Sequence, residues 1–460
     1  MKKYSPLAFL FSLLFAVSAY AGEERYTLPL TGGGWSLWLD KEASWQNDRL
    51  YLPHEITDLS LLPVNTPTGG WQALNDNLDA VSVEVPGTVE EYLTTSDNPR
   101  PEDFKGVSWW YRKITIPADQ ANKRHLIYFE SVRMRAEVYL DGKLVAYDLI
   151  GETPFHVDIT KEAKPGTEQL LAVRVTNPGG NFHWQDFDIQ KWGEYNIPPA
   201  RSFSGIIGRV KLESVNPVFI SDIYMQNTPE PTKVNAIISF TNETPSSVKQ
   251  DVELTVSEKN RPDKVVFRQL LKHVSFPPGK REMMIPVSVS DAKLWDLDTP
   301  ELYTCNIQIK KGKNTLDRDK KNFGFRWFSA EGVGTDAVLR LNGRRVMLRS
   351  AISWGYFPVT GLIATPEMAE KQVLTAKKLG LNMLNFHRCI GSPVVLEKTD
   401  ELGLLYYEEP GSFHSANHDP FIRTIVNEKL KRMVHRDRSH PSLIIFNLIN
   451  EFGGPLSRDK

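Results

Sequence analysis

The sequence predicts a multidomain protein: a β-sandwich, an immunoglobulin-like β-sandwich, and the N-terminal half of a (β/α)₈ barrel. Three observations carry this. Short alternating strands punctuated by Gly, Pro and Asp run over 22–215, and a second β stretch with regular turns fills 216–329. From residue 330 onward, strands alternate with helices, as parallel βα units require. The chain of 460 residues has room for all three at roughly 100–200 residues per domain.

Residues 1–21 read as a signal peptide. Lys2 and Lys3 precede an apolar stretch over 6–17 that is too short to span a bilayer, and Ala19 and Ala21 supply the small cleavage-site residues. Its removal takes the formal net charge from −1 to −3. No other run approaches the ~20 apolar residues of a membrane span, and no cysteine near the cleavage site offers a lipid anchor. The expectation is an exported protein, periplasmic or secreted, with no membrane attachment after cleavage.

Composition narrows the partners. Lys+Arg 55 against Asp+Glu 56 leaves no basic footprint for nucleic acid. With 41% hydrophobic residues the chain is neither disordered nor fibrous. A near-neutral chain that is 10% aromatic is compatible with an uncharged ligand such as a sugar.

Each element has its own signal. In the first domain, 110–116 and 126–130 alternate large and polar residues. The strand over 136–140 runs into Asp141-Gly142, a hairpin turn signal, and 144–147 returns from it. Strands over 170–175 and 208–212 complete an all-β pattern. The second domain has strands at 218–220, 234–240, 252–256, 283–287 and 303–309, in a length that suits an immunoglobulin-like sandwich. Cys305 and Cys389 fall in different domains and form no metal-ligand pattern, so both are expected to be packing thiols.

In the third domain, 346–348 is the first predicted strand. Thr365-Pro366 is a helix cap with Pro at the first helical position, and Gly380 closes the helix over 367–379. A strand over 381–386, a helix over 393–402, a strand over 404–407 and a helix over 420–435 follow. The last strand, 443–446, is apolar enough to be buried on both faces. Four βα units are about half of a barrel that needs ~250 residues, so the sequence is expected to end inside the barrel. With open edges, 330–460 is also expected to fold poorly in isolation.

Catalytic groups in parallel α/β folds lie at the C-terminal ends of strands. Glu451 follows the apolar last strand between Ile449 and Phe452, surroundings that raise a carboxyl pKa toward that of a general acid; the alternative is a solvated glutamate at a helix start. Asn450 offers an amide to a sugar 2-hydroxyl. Glu409 ends the third strand, either contacting substrate or forming an ion pair in the barrel mouth. Asn385, His387 and Arg388 end the second strand, where an arginine could clamp a polar group. Trp354 leaves the first strand as a stacking platform for a sugar ring or as core packing. The aromatic insertion over 182–195 either reaches this mouth or packs on itself as a surface loop.

Taken together, the motifs resemble glycoside hydrolase family 2, the β-galactosidases, β-glucuronidases and β-mannosidases. The resemblance rests on Trp110-Tyr-Arg-Lys113, Val138-Tyr-Leu-Asp-Gly142, Thr153-Pro-Phe155 with Asp158-Ile-Thr160, and Ser204-Gly-Ile-Ile207 in the first domain. It continues through Leu294-Trp295, Pro300-Glu-Leu-Tyr303, Phe323-Gly-Phe-Arg326 and Leu341-Asn-Gly-Arg-Arg345 with Met347-Leu-Arg349. Asp400-Glu-Leu-Gly-Leu404, Arg436-Asp437-Arg-Ser-His440-Pro441 and Asn450-Glu451 are the most specific.

The resemblance implies a jelly-roll-like sugar-binding first sandwich and an exo-acting, retaining β-glycosidase acting on terminal β-linked sugars. Glu451 would be the acid/base and Asn450 its 2-hydroxyl partner. The family's nucleophile, a glutamate on the seventh strand, would lie beyond this chain, so the chain alone is expected to be inactive. Asn385 stands where relatives usually carry Arg, Arg388 where they carry His, and Ile352 and Trp354 at the first-strand Asn and His positions. Phe446-Asn447 replaces the Trp-Ser before Asn-Glu. Pro410-Gly-Ser-Phe413 replaces the cation ligands of some galactosidases, so no Mg²⁺ or other cofactor is expected. The alternative reading is a non-catalytic carbohydrate-binding or structural protein that uses its sandwiches.

Overall fold

The computed structural model describes residues 24–75, 77–93, 104–179, 189–198, 203–355, 357, 360–411 and 419–448. The predicted signal peptide, residues 182–188 of the aromatic insertion, and Asn450 and Glu451 lie outside the described residues.

The first sandwich packs a four-stranded sheet on a six-stranded one. The smaller sheet runs Tyr26–Pro29, Val210–Val215, Arg124–Phe129, Phe155–Asp158. The larger runs Val81–Val85, Gly32–Asp40, Gly106–Thr115, Glu168–Asn177, Arg135–Leu140, Lys143–Asp148. Trp35, Trp110, Ile127, Phe129, Val138 and Val173 fill the space between them. Asp141 and Gly142 both have positive φ, at 47° and 79°. That primed two-residue turn matches strand twist and produces the predicted hairpin.

The outer face of the larger sheet is also buried. Trp109, Tyr111 and Tyr139 lie under Leu50, Leu52, Leu62 and Trp71 of the segment that follows the second strand. Much of the aromatic content therefore serves packing.

The second sandwich opposes a three-stranded and a four-stranded sheet. The first runs Val218–Asn227, Lys233–Asn242, Gly279–Ser288; the second runs Arg261–Phe276, Val248–Glu258, Tyr303–Lys311, Asn314–Phe323. Cys305 is a buried free thiol in its core, and Cys389 is buried in the next unit.

The C-terminal unit is a parallel sheet of β1 (Ser350–Ser353), β2 (Met383–Phe386), β3 (Leu405–Glu408) and β4 (Leu443–Phe446), in sequence order. Between them run α1 (Pro366–Lys378), α2 (Pro393–Leu402) and α3 (Pro420–Asp437). All three helices start with Pro at N1, where the missing N–H costs nothing. Thr365 caps α1 by accepting from Met368 N, and Asp419 caps α3 by accepting from Phe421 N and Ile422 N. Gly403 ends α2 at φ 69°, a left-handed position that glycine adopts without strain.

Two expectations change here. The predicted first strand over 346–348 is not a strand; β1 forms at Ser350–Ser353. Val346 and Leu348 instead pack into a cluster with Trp295, Leu302 and Leu341, which plugs one face of the sheet near the strand starts. Over β4 only Leu443 is buried and the next three residues are half-buried, β4 being the last strand of the sheet among the described residues.

Polar contacts join the units. Arg25 pairs with Glu213 at 3.2 Å and with Asp317 of the second sandwich at 3.0 Å. Trp295 Nε1 donates to Asp400 O at 2.8 Å, and Arg326 donates to Pro441 O and Leu443 O at 3.0 and 2.9 Å. α3 is held on the first sandwich by Lys429–Glu152 at 2.8 Å, Arg432–Asp148 at 2.7 Å and Asn196–Asp419 at 2.6 Å. At the foot of β4, Asp400 Oδ2 meets His440 Nδ1 at 2.5 Å, while Oδ1 accepts from Ser442 N at 3.0 Å.

Burial pushes the His440 imidazole toward its neutral form. The charge and hydrogen bond of Asp400, with Asp437 behind it, outweigh that and hold its pKa above the ordinary value. The folded protein thus binds this proton more tightly than the unfolded chain, whose histidine titrates near ~6.5. The stabilisation is full below that pH and is lost as pH rises through the folded pKa. His440→Ala is expected to cost about 3 kcal/mol at pH 5.5 and clearly less at pH 9, read by urea denaturation. An equal loss at both pH values would remove the charge from this account.

Candidate functional site

Side chains on successive residues of a strand point to opposite faces of the sheet. In the C-terminal unit, Leu384, Phe386 and Tyr406 point toward the helices, while Met383, Leu405 and Tyr407 point to the other face. Residues on that second face near the strand exits can meet a ligand. Ile352, Asn385, Tyr407 and Ile445 form one registered row across all four strands. One pleat further on stand Trp354, His387 and Glu409.

The structure brings Trp354, His387, Arg388 and Glu409 together directly above Asn385. His387 Nδ1 lies 3.4 Å from Glu409 Oε1. The Trp354 and His387 rings meet edge to face at 4.7 Å, and the Arg388 guanidinium sits 5.4 Å over the Trp354 ring. Arg388 adopts a left-handed backbone at φ 58°, costly for a non-glycine residue, just after His387 N bonds Ser353 O at 2.9 Å. The Trp354 ring is packed on His387 and Arg388, and the residue is half-buried. Glu409 is fully buried, with its Oε1 beside the His387 ring.

The adjacent carboxylate has a different job. Glu408 points to the helix face and is fully buried. Its Oε1 accepts from Gly391 N at 2.8 Å and lies 3.4 Å from Arg436 Nη2. Arg436 forks onto Asp437 at 2.7–2.9 Å and donates to Gly391 O at 2.7 Å. A Cβ on Gly391 would fall 2.2 Å from the Phe386 ring and 2.9 Å from Glu408 Oε1, so only glycine fits. The cluster ties the exit of β3 to the loop that carries Arg388.

Tyr407 is a site residue that motif reading passed over. It shares its face with Asn385 and Glu409, and its phenol is pushed up by burial and by the Glu409 charge while bonding the Asn447 side chain. Counting back two residues from Glu409 would have found it. Among the described residues no group of three or more His, Cys, Asp or Glu is placed to hold a metal. What the cluster offers is hydrogen bonding from an amide, an imidazole, a guanidinium and a phenol beside an indole, a set suited to a hydroxyl-rich ligand.

Burial, reinforced by Asp437 and opposed by Arg436, pushes the Glu408 carboxyl pKa well above its ordinary value, so the fold binds this proton more tightly than the unfolded chain does. The unfolded chain releases that proton above pH ~4.3, so stability falls as pH rises past that value. Glu408→Gln, an uncharged isostere, should flatten the slope and be at least as stable as the parent at pH 7. A variant whose stability falls with pH as steeply as the parent's would show that Glu408 is ionised in the fold.

The profile described as "Glycosyl hydrolases family 2, sugar binding domain" matches residues 71–198, and "Glycosyl hydrolases family 2" matches 218–326, together just over half of the chain. A putative beta-glucuronidase of Formosa agariphila is 26% identical over 89% of this chain and 45% of its own length. A beta-galactosidase of Thermoanaerobacter pseudethanolicus is 28% identical over 76% of this chain and 46% of its own. The chain thus spans about half the length of these curated relatives. Two solved structures share the fold: a putative beta-galactosidase from Bacteroides fragilis (TM-score 0.73, 18% identity, 94% of this chain and 60% of that one) and a Bacteroides uniformis beta-glucuronidase (TM-score 0.70, 21% identity, 92% and 47%). The chain belongs to glycosyl hydrolase family 2.

Proposed function

We propose that this chain is the sandwich-bearing part and first four βα units of an exported, retaining exo-β-glycosidase. The observation that carries the reading is the convergence of Trp354, Asn385, His387, Arg388 and Glu409 on one face at the C-terminal ends of parallel strands. The relatives named β-glucuronidase and β-galactosidase give the substrate class, a terminal β-linked sugar. The strand order β1-β2-β3-β4 supports a barrel half, since a doubly wound sheet reverses its order at a switch point.

In this reading the first sandwich (22–215) and the immunoglobulin-like sandwich (216–329) scaffold a catalytic unit over 330–460. Glu451 protonates the departing glycosidic oxygen as general acid and later takes a proton from water. Asn450 holds the sugar 2-hydroxyl. Glu409 orients His387, and Asn385, His387 and Arg388 hold the remaining hydroxyl or carboxylate groups. Retention requires a second carboxylate ~5–5.5 Å from the first, acting as nucleophile. Glu408 is excluded from that role, because it faces the helices.

The test uses the whole protein encoded by the gene, assayed on an alkyl β-galactoside and an alkyl β-glucuronide. Glu451→Gln is expected to lower kcat/KM by roughly 10²–10⁴ on the substrate that is turned over. His387→Ala should raise KM more than it lowers kcat. Undiminished hydrolysis by the Glu451→Gln protein would overturn the assignment.

A further inference from the structure

Between the two sandwiches and the outer surfaces of α2 and α3 lies a cavity of about 1040 Å³. None of Trp354, Asn385, His387, Arg388 or Glu409 lines it; it is on the helix side of the parallel sheet. Its volume is at the upper end of ligand pockets, ~300–1,000 Å³, and far beyond what bridging waters need.

Two features give the cavity a chemical preference. One wall is the outer face of the four-stranded sheet, where the Tyr128 and His156 rings lie 5.0 Å apart with Lys211 5.6 Å over Tyr128. Flat rings beside polar groups are the surface on which a sugar's C–H face packs. The second feature is the distribution of charge. Each of the eight carboxylates of the wall already has a basic partner, Glu213 and Asp319 sharing Arg25 and Glu130 and Glu397 sharing Arg209.

Two lysines of the wall are not matched in this way. Among the described residues Lys431 reaches only Glu428, at 4.0 Å, and Lys321 reaches only the Arg436 carbonyl, at 3.4 Å.

We propose that this cavity binds an anionic oligosaccharide, with sugar rings on Tyr128 and His156 and acidic groups at Lys321 and Lys431. The site stands apart from the strand-end cluster and requires no turnover. It would hold an acidic glycan chain against the junction of the three units.

Titration calorimetry on the full chain tests this with three probes: tetragalacturonate, a sulfated κ-carrageenan tetrasaccharide, and neutral β-1,4-galactotetraose. One saturable site for at least one acidic probe is expected, at least tenfold tighter than any binding of the neutral one; the pair of acidic probes tells carboxylate from sulfate. The combined Lys321→Gln, Lys431→Gln variant changes half-exposed or exposed side chains and should fold normally. It should bind the acidic probe about tenfold more weakly. Tyr128→Ala should weaken binding without changing its salt dependence. Absence of binding by both acidic probes, equal binding of the neutral tetrasaccharide, or an unchanged affinity in the double lysine variant would each overturn the proposal.

Discussion

The alternation of side chains along a strand decides what two neighbouring glutamates do at the exit of β3. Glu408 turns toward the helices and joins Gly391, Arg436 and Asp437. Glu409 turns to the opposite face and meets His387. One carboxyl anchors the strand end and the 388–391 loop; the other is displayed where that anchoring holds it. A one-residue slip in β3 would exchange the two, turning Glu409 to the helices and Glu408 to the site. The geometry of Trp354, His387 and Arg388 depends on that register, because the loop carrying Arg388 is fastened through Gly391 to Glu408.

Several motifs that mark the family turn out to be joints. Asp400 and His440 pair at the foot of β4, and Trp295 and Arg326 donate to backbone carbonyls of the neighbouring unit. Asn342, at φ 53°, gives its side chain to Trp295 O at 2.9 Å and accepts from Trp327 N. These residues bring the immunoglobulin-like sandwich against the starts of the parallel strands, away from the exits where chemistry belongs. Their recurrence as a motif set reflects a shared way of joining units as much as a shared reaction.

What was legible in the sequence was what local chemistry determines. Thr365-Pro366 and Gly380 marked the ends of one helix because caps act within a few residues, and the Asp141-Gly142 turn did the same for its hairpin. Candidate site residues at strand exits were legible for a related reason, since each follows from where a strand stops. The misreadings concern what a strand faces. An apolar Val346–Leu348 run suits a strand or a plug equally, and only the Trp295 cluster decides between them. The exposure of β4 depends on its neighbours, which its own four residues do not encode. The Lys429–Glu152 pair joins positions 277 residues apart and leaves no local trace.

α3 illustrates how far the units have adapted to one another. Its Ile425 is buried in the aromatic cluster of the first sandwich, and Lys429 and Arg432 find their carboxylates there. On a separated α/β unit the same helix would present an apolar side chain to water and two cations without counterparts. The sandwich would in turn keep Glu152 and Asp148 without their cations from α3. Exchanging the first sandwich between family members would therefore succeed only if the helix face travelled with it, so the unit of inheritance here is the contact and not the domain.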